Sequence, residues 1–233
     1  MANEQHTAER FVREVLHECR IADVERVTFV AVLDRACKDG TRSVLERLAI
    51  DESDLRIIWA PENRTVVDAY TRGYREALAA GCDWILEIDA GYSHHPKDIP
   101  QFFREMIKGS DCVFGSRFCK GGSIKSSPRR HLISKGGTVL SNLLLGTRLT
   151  DMTSGFELFS REALTAILAK GVRSRGHFFQ TEMKAYCRDL EVVEVPIRYE
   201  TGSDSVTNGV LVDAARNLLR LIRMRLTSKL SIR

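Results

Sequence analysis

Residues 87–96 read EIDAGYSHHP, a strand-like run that ends at Asp89 and breaks into a Gly, Ser, His and Pro loop. Open α/β sheets bind their ligands at the carboxyl ends of their strands, so an acid here points either to a site or to a helix cap. Along residues 83–89 the strand period of two sets Asp83, Ile85, Glu87 and Asp89 on one side and Trp84, Leu86 and Ile88 on the other. Two carboxylates therefore lean the same way at the strand's end. These ten residues alone fit Asp89 equally well as a cap for a helix opening near Pro96.

The surrounding sequence sets this stretch in an alternating pattern. Apolar runs at 27–33, 55–59, 84–88 and 111–115 read as short buried strands, and 41–49, 65–80 and 97–108 between them have helical spacing. Alternating strands and helices call for a parallel sheet with right-handed crossovers. Pro128 opens a further helix to about Leu145, residues 161–170 form another, and 190–199 read as a strand interrupted by Pro196. Residues 120–127, rich in Gly, Ser and Lys, are expected to be a mobile loop. One feature is unusual for a doubly wound domain: the chain enters a helix at 7–19 with no strand before it.

At 233 residues the chain is long enough for one large α/β domain. Apolar residues make up 43% and charged residues 28%, which excludes disordered and fibrous classes. Its six cysteines show no C-x-x-C pair, which argues against a zinc site and for reduced thiols. No apolar run reaches membrane-spanning length and residues 1–20 lack the apolar core of a signal peptide, so a cytoplasmic protein is expected. The net charge of +4 is mild and suggests no nucleic-acid partner, but it is unevenly placed. Residues 1–208 read as the main domain and 209–233 as a basic amphipathic helix carrying Arg216, Arg220, Arg223 and Arg225, with Leu211, Ala215, Leu218, Ile222 and Leu226 at helical spacing. Such a helix fits packing on the domain, docking a partner helix, or lying on an anionic membrane surface.

The runs LDRACKDGT (33–41), EIDAGYSHHP (87–96), FGSRF (114–118), RHLISKGG (130–137), DMTSGF (151–156), FQTEM (179–183) and EVPIRY (194–199) together resemble the dolichol-phosphate mannose synthase group, inverting family 2 glycosyltransferases of GT-A fold. The likeness covers roughly residues 3–200, in order and with compatible spacing. It implies a doubly wound, mostly parallel α/β sheet, a nucleotide-sugar donor such as GDP-mannose or a UDP-sugar, and a Mn or Mg divalent cation. It also implies a polyprenyl phosphate or other cell-envelope acceptor, reached from the cytoplasm at the inner face of the membrane. The chemistry is consistent: breaking a glycosyl diphosphate bond releases a nucleoside diphosphate, whose charge needs a cation and fixed donors. By this resemblance Asp89 falls on the first acid of the metal motif and Asp34 on the acid that reads the nucleoside. Arg117 and Arg130 fall on phosphate-neutralising positions, which suit the guanidinium fork, and Ser134 on a phosphate-contacting one. The TSGF run, Gln180 and Glu182 fall on acceptor-side and sugar-side elements.

The chain also departs from that pattern. Gly91 stands where a second metal acid belongs; Glu87 on the same strand face, or Ser93 or His94 through water, are the candidates to compensate. Restoring the acid as Gly91→Asp is expected to strengthen the cation site unless the backbone there needs a positive φ. Residues 34–37 read Asp, Arg, Ala, Cys and keep one acid of the nucleoside motif. The late cationic positions fall near Gly202 and Thr207–Asn208, and the first strand with its Asn-Glu end survives as Asn3 and Glu4 alone. If the acceptor is a phosphate it needs little base help; if it is a hydroxyl, Glu182 or Asp151 are the candidate bases. A catalytically weak nucleotide-sugar-binding or scaffolding homologue is the rival reading.

Overall fold

Strand and helix alternate as expected in the computed structural model, which describes residues 1–22, 24–200 and 208–232. Positions 202 and 207, where the acceptor-side cations were sought, lie outside the described residues. The elements are α1 (Ala8–Arg20), β1 (Phe29–Leu33), α2 (Thr41–Asp51), β2 (Leu55–Trp59), α3 (Val66–Ala79), β3 (Trp84–Glu87) and, after a 3-10 turn at Pro96–Asp98, α4 (Ile99–Met106). There follow β4 (Cys112–Ser116), β5 (Ser123–Lys125), α5 (Pro128–Leu145), β6 (Glu157–Ser160), α6 (Arg161–Lys170), α7 (Phe179–Tyr186), β7 (Val192–Pro196), β8 (Arg198–Glu200) and α8 (Asn208–Leu226).

The strands form three pieces: parallel β1–β2, a four-stranded β3–β6–β4–β7 and parallel β5–β8. β6 runs antiparallel to both neighbours, so the central piece is mixed. Its side chains divide the core, with Phe156 and Leu158 facing the cluster of α1 and α4 and Phe159 that of α3, α6, α7 and α8. Two local expectations change. The 190–199 strand splits at Ile197 into β7 and β8, because Pro196 cannot donate to a ladder and the chain then pairs with β5 instead of β4. The stretch expected to be mobile contains β5, held by that pairing.

Local chemistry sets the helix starts. Thr65 and Asp68 form a capping box at α3, Ser127 accepts the Arg130 N–H ahead of Pro128 at α5, and Ser160 caps α6. α5 ends on Gly146 at φ 72°, a left-handed stop that glycine adopts without strain.

The C-terminal helix packs on the body. Leu221 is fully buried and Leu218, Ile222 and Met224 pack beside it against the α7 core, whereas Leu211 and Leu226 of the expected stripe are exposed. Arg220, expected on an outer basic face, instead turns inward to Glu182 and the Tyr186 hydroxyl. Arg225 donates to the Leu143 and Leu144 carbonyls at 3.1 and 2.8 Å and so caps the carboxyl end of α5. Removing one partner of a buried, hydrogen-bonded charge pair costs about 3 kcal/mol or more. Glu182→Ala is therefore expected to lower stability by about that amount and to expose α8 to proteolysis, measured by denaturant unfolding and limited digestion.

Candidate active site

The carboxyl ends of β1 and β3 open on a cavity of about 1420 Å³ whose rim includes Asp34, Asp89, Ser93, Arg130 and Tyr199. The strand ends and the start of α5 therefore bring together four residues that the sequence singled out. Asp34 accepts the Ala36 N–H at 2.8 Å and turns the loop after β1. Asp89 keeps 35% of its side chain exposed. The Tyr70 hydroxyl of α3 donates to Asp89 Oδ1, and burial, then the Asp89 charge, raises the Tyr70 pKa so that it remains a donor.

His94 is buried behind this acid. The Asp89 N–H donates to its Nδ1 at 3.4 Å, and the ring packs on Phe156 and Tyr199. Burial depresses its pKa to about 4, which keeps the imidazole neutral at physiological pH. Tyr199 links the rest of the rim: Arg130 Nη2 donates to its hydroxyl at 2.9 Å, and the Arg117 guanidinium lies 5.1 Å from the ring centre.

The other candidates stand behind the rim in a buried network. Arg117 makes a two-pronged pair with Asp151, Nε to Oδ2 at 2.6 Å and Nη2 to Oδ1 at 2.7 Å, and both side chains are almost wholly buried. Lys184 of α7 donates to the Asp151 and Ser154 carbonyls at 3.0 and 2.8 Å and lies 3.3 Å from Glu157. Glu194 of β7 accepts the Thr150 and Asp151 N–H groups. The DMTSGF loop is thus clamped from β4, α7 and β7. Burial pushes the Asp151 carboxyl up, but the Arg117 hydrogen bond and charge outweigh it and hold the pKa at about 2.

Several expected roles are altered by this geometry. Glu182 accepts from the Ser174 N–H and hydroxyl, the Arg173 N–H, the Tyr186 hydroxyl and Arg220, so both oxygens are committed and it joins α7 to α8. Asp151 is likewise committed to Arg117, and neither acid is placed to take a proton from an acceptor. Glu87 is 5% exposed and takes the Gln180 side-chain N–H on Oε1, while burial, then Glu157, raises its pKa. Asn3 bonds the Ala36 carbonyl and the Lys38 N–H, and so holds the Asp34 loop by its backbone. Ser134 lies partly buried on α5. Nothing along the chain singles out Tyr70, Lys184 or Glu157, whose roles come from distant elements; Tyr199 is visible as the last residue of EVPIRY.

The Glu4 carboxylate accepts from the Thr7 hydroxyl and lies against Gly91, where an added Cβ would meet its Oε1 at 2.5 Å. Gly91 itself has φ +76°. Among the described residues no three His, Cys, Asp or Glu side chains converge as metal ligands. A single partly exposed carboxylate at Asp89 fits a hard cation that takes its remaining ligands from donor phosphates and water, and does not fit one held by protein alone.

A mixed α/β sheet with acids at the carboxyl ends of β1 and β3 and a cationic, aromatic rim fits a glycosyltransferase of GT-A fold. The chain belongs to glycosyl transferase family 2, whose model matches residues 1–168. It is 31% identical over 207 residues to an undecaprenyl-phosphate mannosyltransferase of Micrococcus luteus, covering 86% of this chain and 85% of that protein. It is 30% identical over 201 residues to a polyprenol monophosphomannose synthase of Mycolicibacterium smegmatis, covering 84% and 74%. Among solved structures it resembles glucosyl-3-phosphoglycerate synthase of Mycobacterium tuberculosis with bound UDP, at TM-score 0.63 and 18% identity over 97% of this chain and 77% of that one. That synthase has also been solved with Mn2+ and UDP-glucose. The protein is a glycosyltransferase.

Two outcomes follow from this geometry. A side chain at Gly91 meets both a left-handed backbone and Glu4, so Gly91→Asp is expected to cost about 1–2 kcal/mol of stability and to leave manganese affinity no stronger, by unfolding and calorimetric titration. Because the folded Asp151 pKa lies below its unfolded value, its contribution is present above about pH 4 and lost as pH falls toward 2. Asp151→Asn should remove about 2 kcal/mol of this acid-labile stability and flatten the unfolding profile in that window.

Proposed function

We propose that this enzyme transfers a hexose, mannose by likeness to its two relatives, from a nucleoside-diphosphate sugar to the phosphate of a polyprenyl phosphate at a membrane surface. The observation that carries the reading is the commitment of Glu182 and Asp151 to buried ion pairs. A hydroxyl acceptor would need one of them as base, whereas a phosphate is ionised at neutral pH and attacks without one. The phosphate oxygen attacks the anomeric carbon opposite the diphosphate, the bond to the diphosphate breaks, and the configuration inverts. Asp34 would face the nucleoside, Asp89 the cation, and Arg130, oriented by Tyr199, a phosphate. A bound divalent cation would neutralise the departing diphosphate.

The surface fits a lipid acceptor. Val212, Arg216, Leu219, Arg223 and Leu226 form an exposed stripe on α8 in which apolar and cationic residues alternate. On α5, to which Arg225 ties this helix, Leu132 and Leu143 are 72% and 74% exposed, with Val139 and Leu140 between them. No helix among the described residues is long and apolar enough to cross a membrane. Two apolar and basic helix faces side by side suit the anionic inner leaflet without spanning it.

Asp89→Asn is expected to lower sugar transfer at least about a hundredfold at unchanged thermal midpoint, measured as nucleoside diphosphate release with polyprenyl phosphate present. Binding of GDP or UDP to the wild type without any release would favour the scaffolding reading instead. At about 1 kcal/mol for each cation, replacing Arg216 and Arg223 by Gln should weaken sedimentation with anionic vesicles roughly thirtyfold and leave donor hydrolysis in solution unchanged.

A further inference from the structure

Inversion at an anomeric carbon sets the attacking phosphate and the departing diphosphate on opposite faces of it, so on the function proposed above the cavity needs two separate anion seats. Asp89 stands between two walls of that cavity. The Tyr70 hydroxyl reaches its Oδ1 from α3, and His94 lies 3.6 Å from its Oδ2 and packs on Tyr199, to which Arg130 donates. Arg130 is therefore a cation of the Tyr199 wall. The α3 wall carries cations of its own.

The segment between α6 and α7 is gripped by its main chain. Glu182 accepts the Arg173 and Ser174 N–H groups at 3.1 and 2.9 Å, and Asp213 of α8 accepts those of Arg175 and Gly176, each at 3.3 Å. Its side chains then alternate: Ser174 is buried, while Arg173, Arg175 and His177 are exposed. The acids nearest to this segment are thus committed to its N–H groups, Glu182 to Arg220 as well, and the cationic side chains are left facing outward. His177 belongs to the wall of the 1420 Å³ cavity, and so does Arg64. Arg64 leads into α3, where its N–H and that of Thr65 donate to Asp68 at 2.9 and 2.8 Å. The charge of Arg175 acts on the same Asp68, so the approach to α7 and the start of α3 lie side by side. Asp68 is the acid between them, and its carboxylate is turned to the cap of α3.

We infer that Arg64, Arg175 and His177 form the seat of the acceptor's phosphate monoester, while Arg130 serves the donor diphosphate on the other wall. This rests on the reading of the enzyme as one with a phosphate acceptor. Guanidinium forks offer paired N–H donors to phosphate oxygens, and a segment already fixed by its main chain presents them at little ordering cost. The place also fits a phosphate carried by a lipid. Asp213, which fixes the segment, neighbours Val212 at the start of the exposed stripe of α8. A headgroup at that surface would meet Arg175 first and His177, at the cavity wall, second. The cations sought for the acceptor at positions 202 and 207 are absent from the sequence, which reads Gly202 and Thr207 there.

The test reads donor and acceptor binding separately. The double variant Arg64→Gln, Arg175→Gln and the single variant His177→Gln are compared with the wild type and with Arg104→Gln, which removes an exposed cation of α4. Farnesyl phosphate is titrated calorimetrically, without vesicles, into protein saturated with GDP or UDP and manganese. Its binding should weaken at least about tenfold in the double variant and about threefold in His177→Gln, and stay unchanged in Arg104→Gln. Affinity for the nucleoside diphosphate itself should change less than about twofold in all of them. An equal loss of nucleoside diphosphate affinity overturns the inference, because these residues then belong to the donor. Unchanged farnesyl phosphate binding in the double variant overturns it as well. Glycerol 3-phosphate, titrated in the same way, separates a lipid phosphate from a soluble one. If it binds as tightly as farnesyl phosphate and the double variant weakens both, the seat stands and the polyprenyl acceptor falls. Wild type that binds the nucleoside diphosphate and neither phosphate overturns the seat and the phosphate acceptor together. Should the double variant fail to fold, amide exchange at residues 173–177 of the wild type is followed as farnesyl phosphate is added. Slowed exchange supports the seat, and unchanged exchange at saturation overturns it.

Discussion

The buried pair of Arg117 and Asp151 holds the site together. Two charges withdrawn from water are tolerated here because they are paired and hydrogen-bonded: the fork of Arg117 meets both Asp151 oxygens, Thr153 joins them, and Glu194 receives the loop N–H groups. Lys184 fixes the same loop from α7 through its carbonyls. Elements distant in sequence thus converge on residues 150–156, and β6, which follows directly, is delivered between β3 and β4. If either partner of the pair were lost, a charge would remain buried without compensation, so loop, sheet and site would loosen together.

The same arrangement explains the chemistry the site leaves available. Acids that a sequence reader would offer as bases are consumed as struts, and the acid left partly exposed, Asp89, stands at the cavity rim. Glu87, further back along the strand, is held in a dry region beside Glu157 that raises its pKa. Burial distinguishes these two carboxylates more than their chemistry does. Gly91 and Glu4 show the corresponding economy in the loop: the backbone there turns left-handed and the space of a missing side chain is occupied by a carboxylate from the chain start.

The last helix serves two faces. Its inner side, through Leu221 and Arg220, completes the α7 core and the Glu182 network. Its outer side presents Arg216 and Arg223 among exposed aliphatic residues, next to the exposed leucines of α5. On the proposed reading, with a soluble donor and a lipid acceptor, the surface turned to the bilayer would be anchored to the same α7 that holds the active-site loop.

The sequence by itself determined the alternating α/β order, the break between β3 and the loop that follows Asp89, the loop at Asp34, the start of α5 at Pro128 and, through its motifs, the family. Those features are local: apolar period, capping residues and turn formers act over a few positions and can be read along the chain. Tertiary structure alone decided that Arg220 faces inward, that Tyr70 reaches Asp89, that Glu182 and Asp151 are struts, that residues 192–200 change partners at Pro196, and that β6 runs antiparallel between β3 and β4. The physical reason is that a charge's role depends on what surrounds it after folding. A one-dimensional pattern records which residues ionise but not which of them are dried and paired.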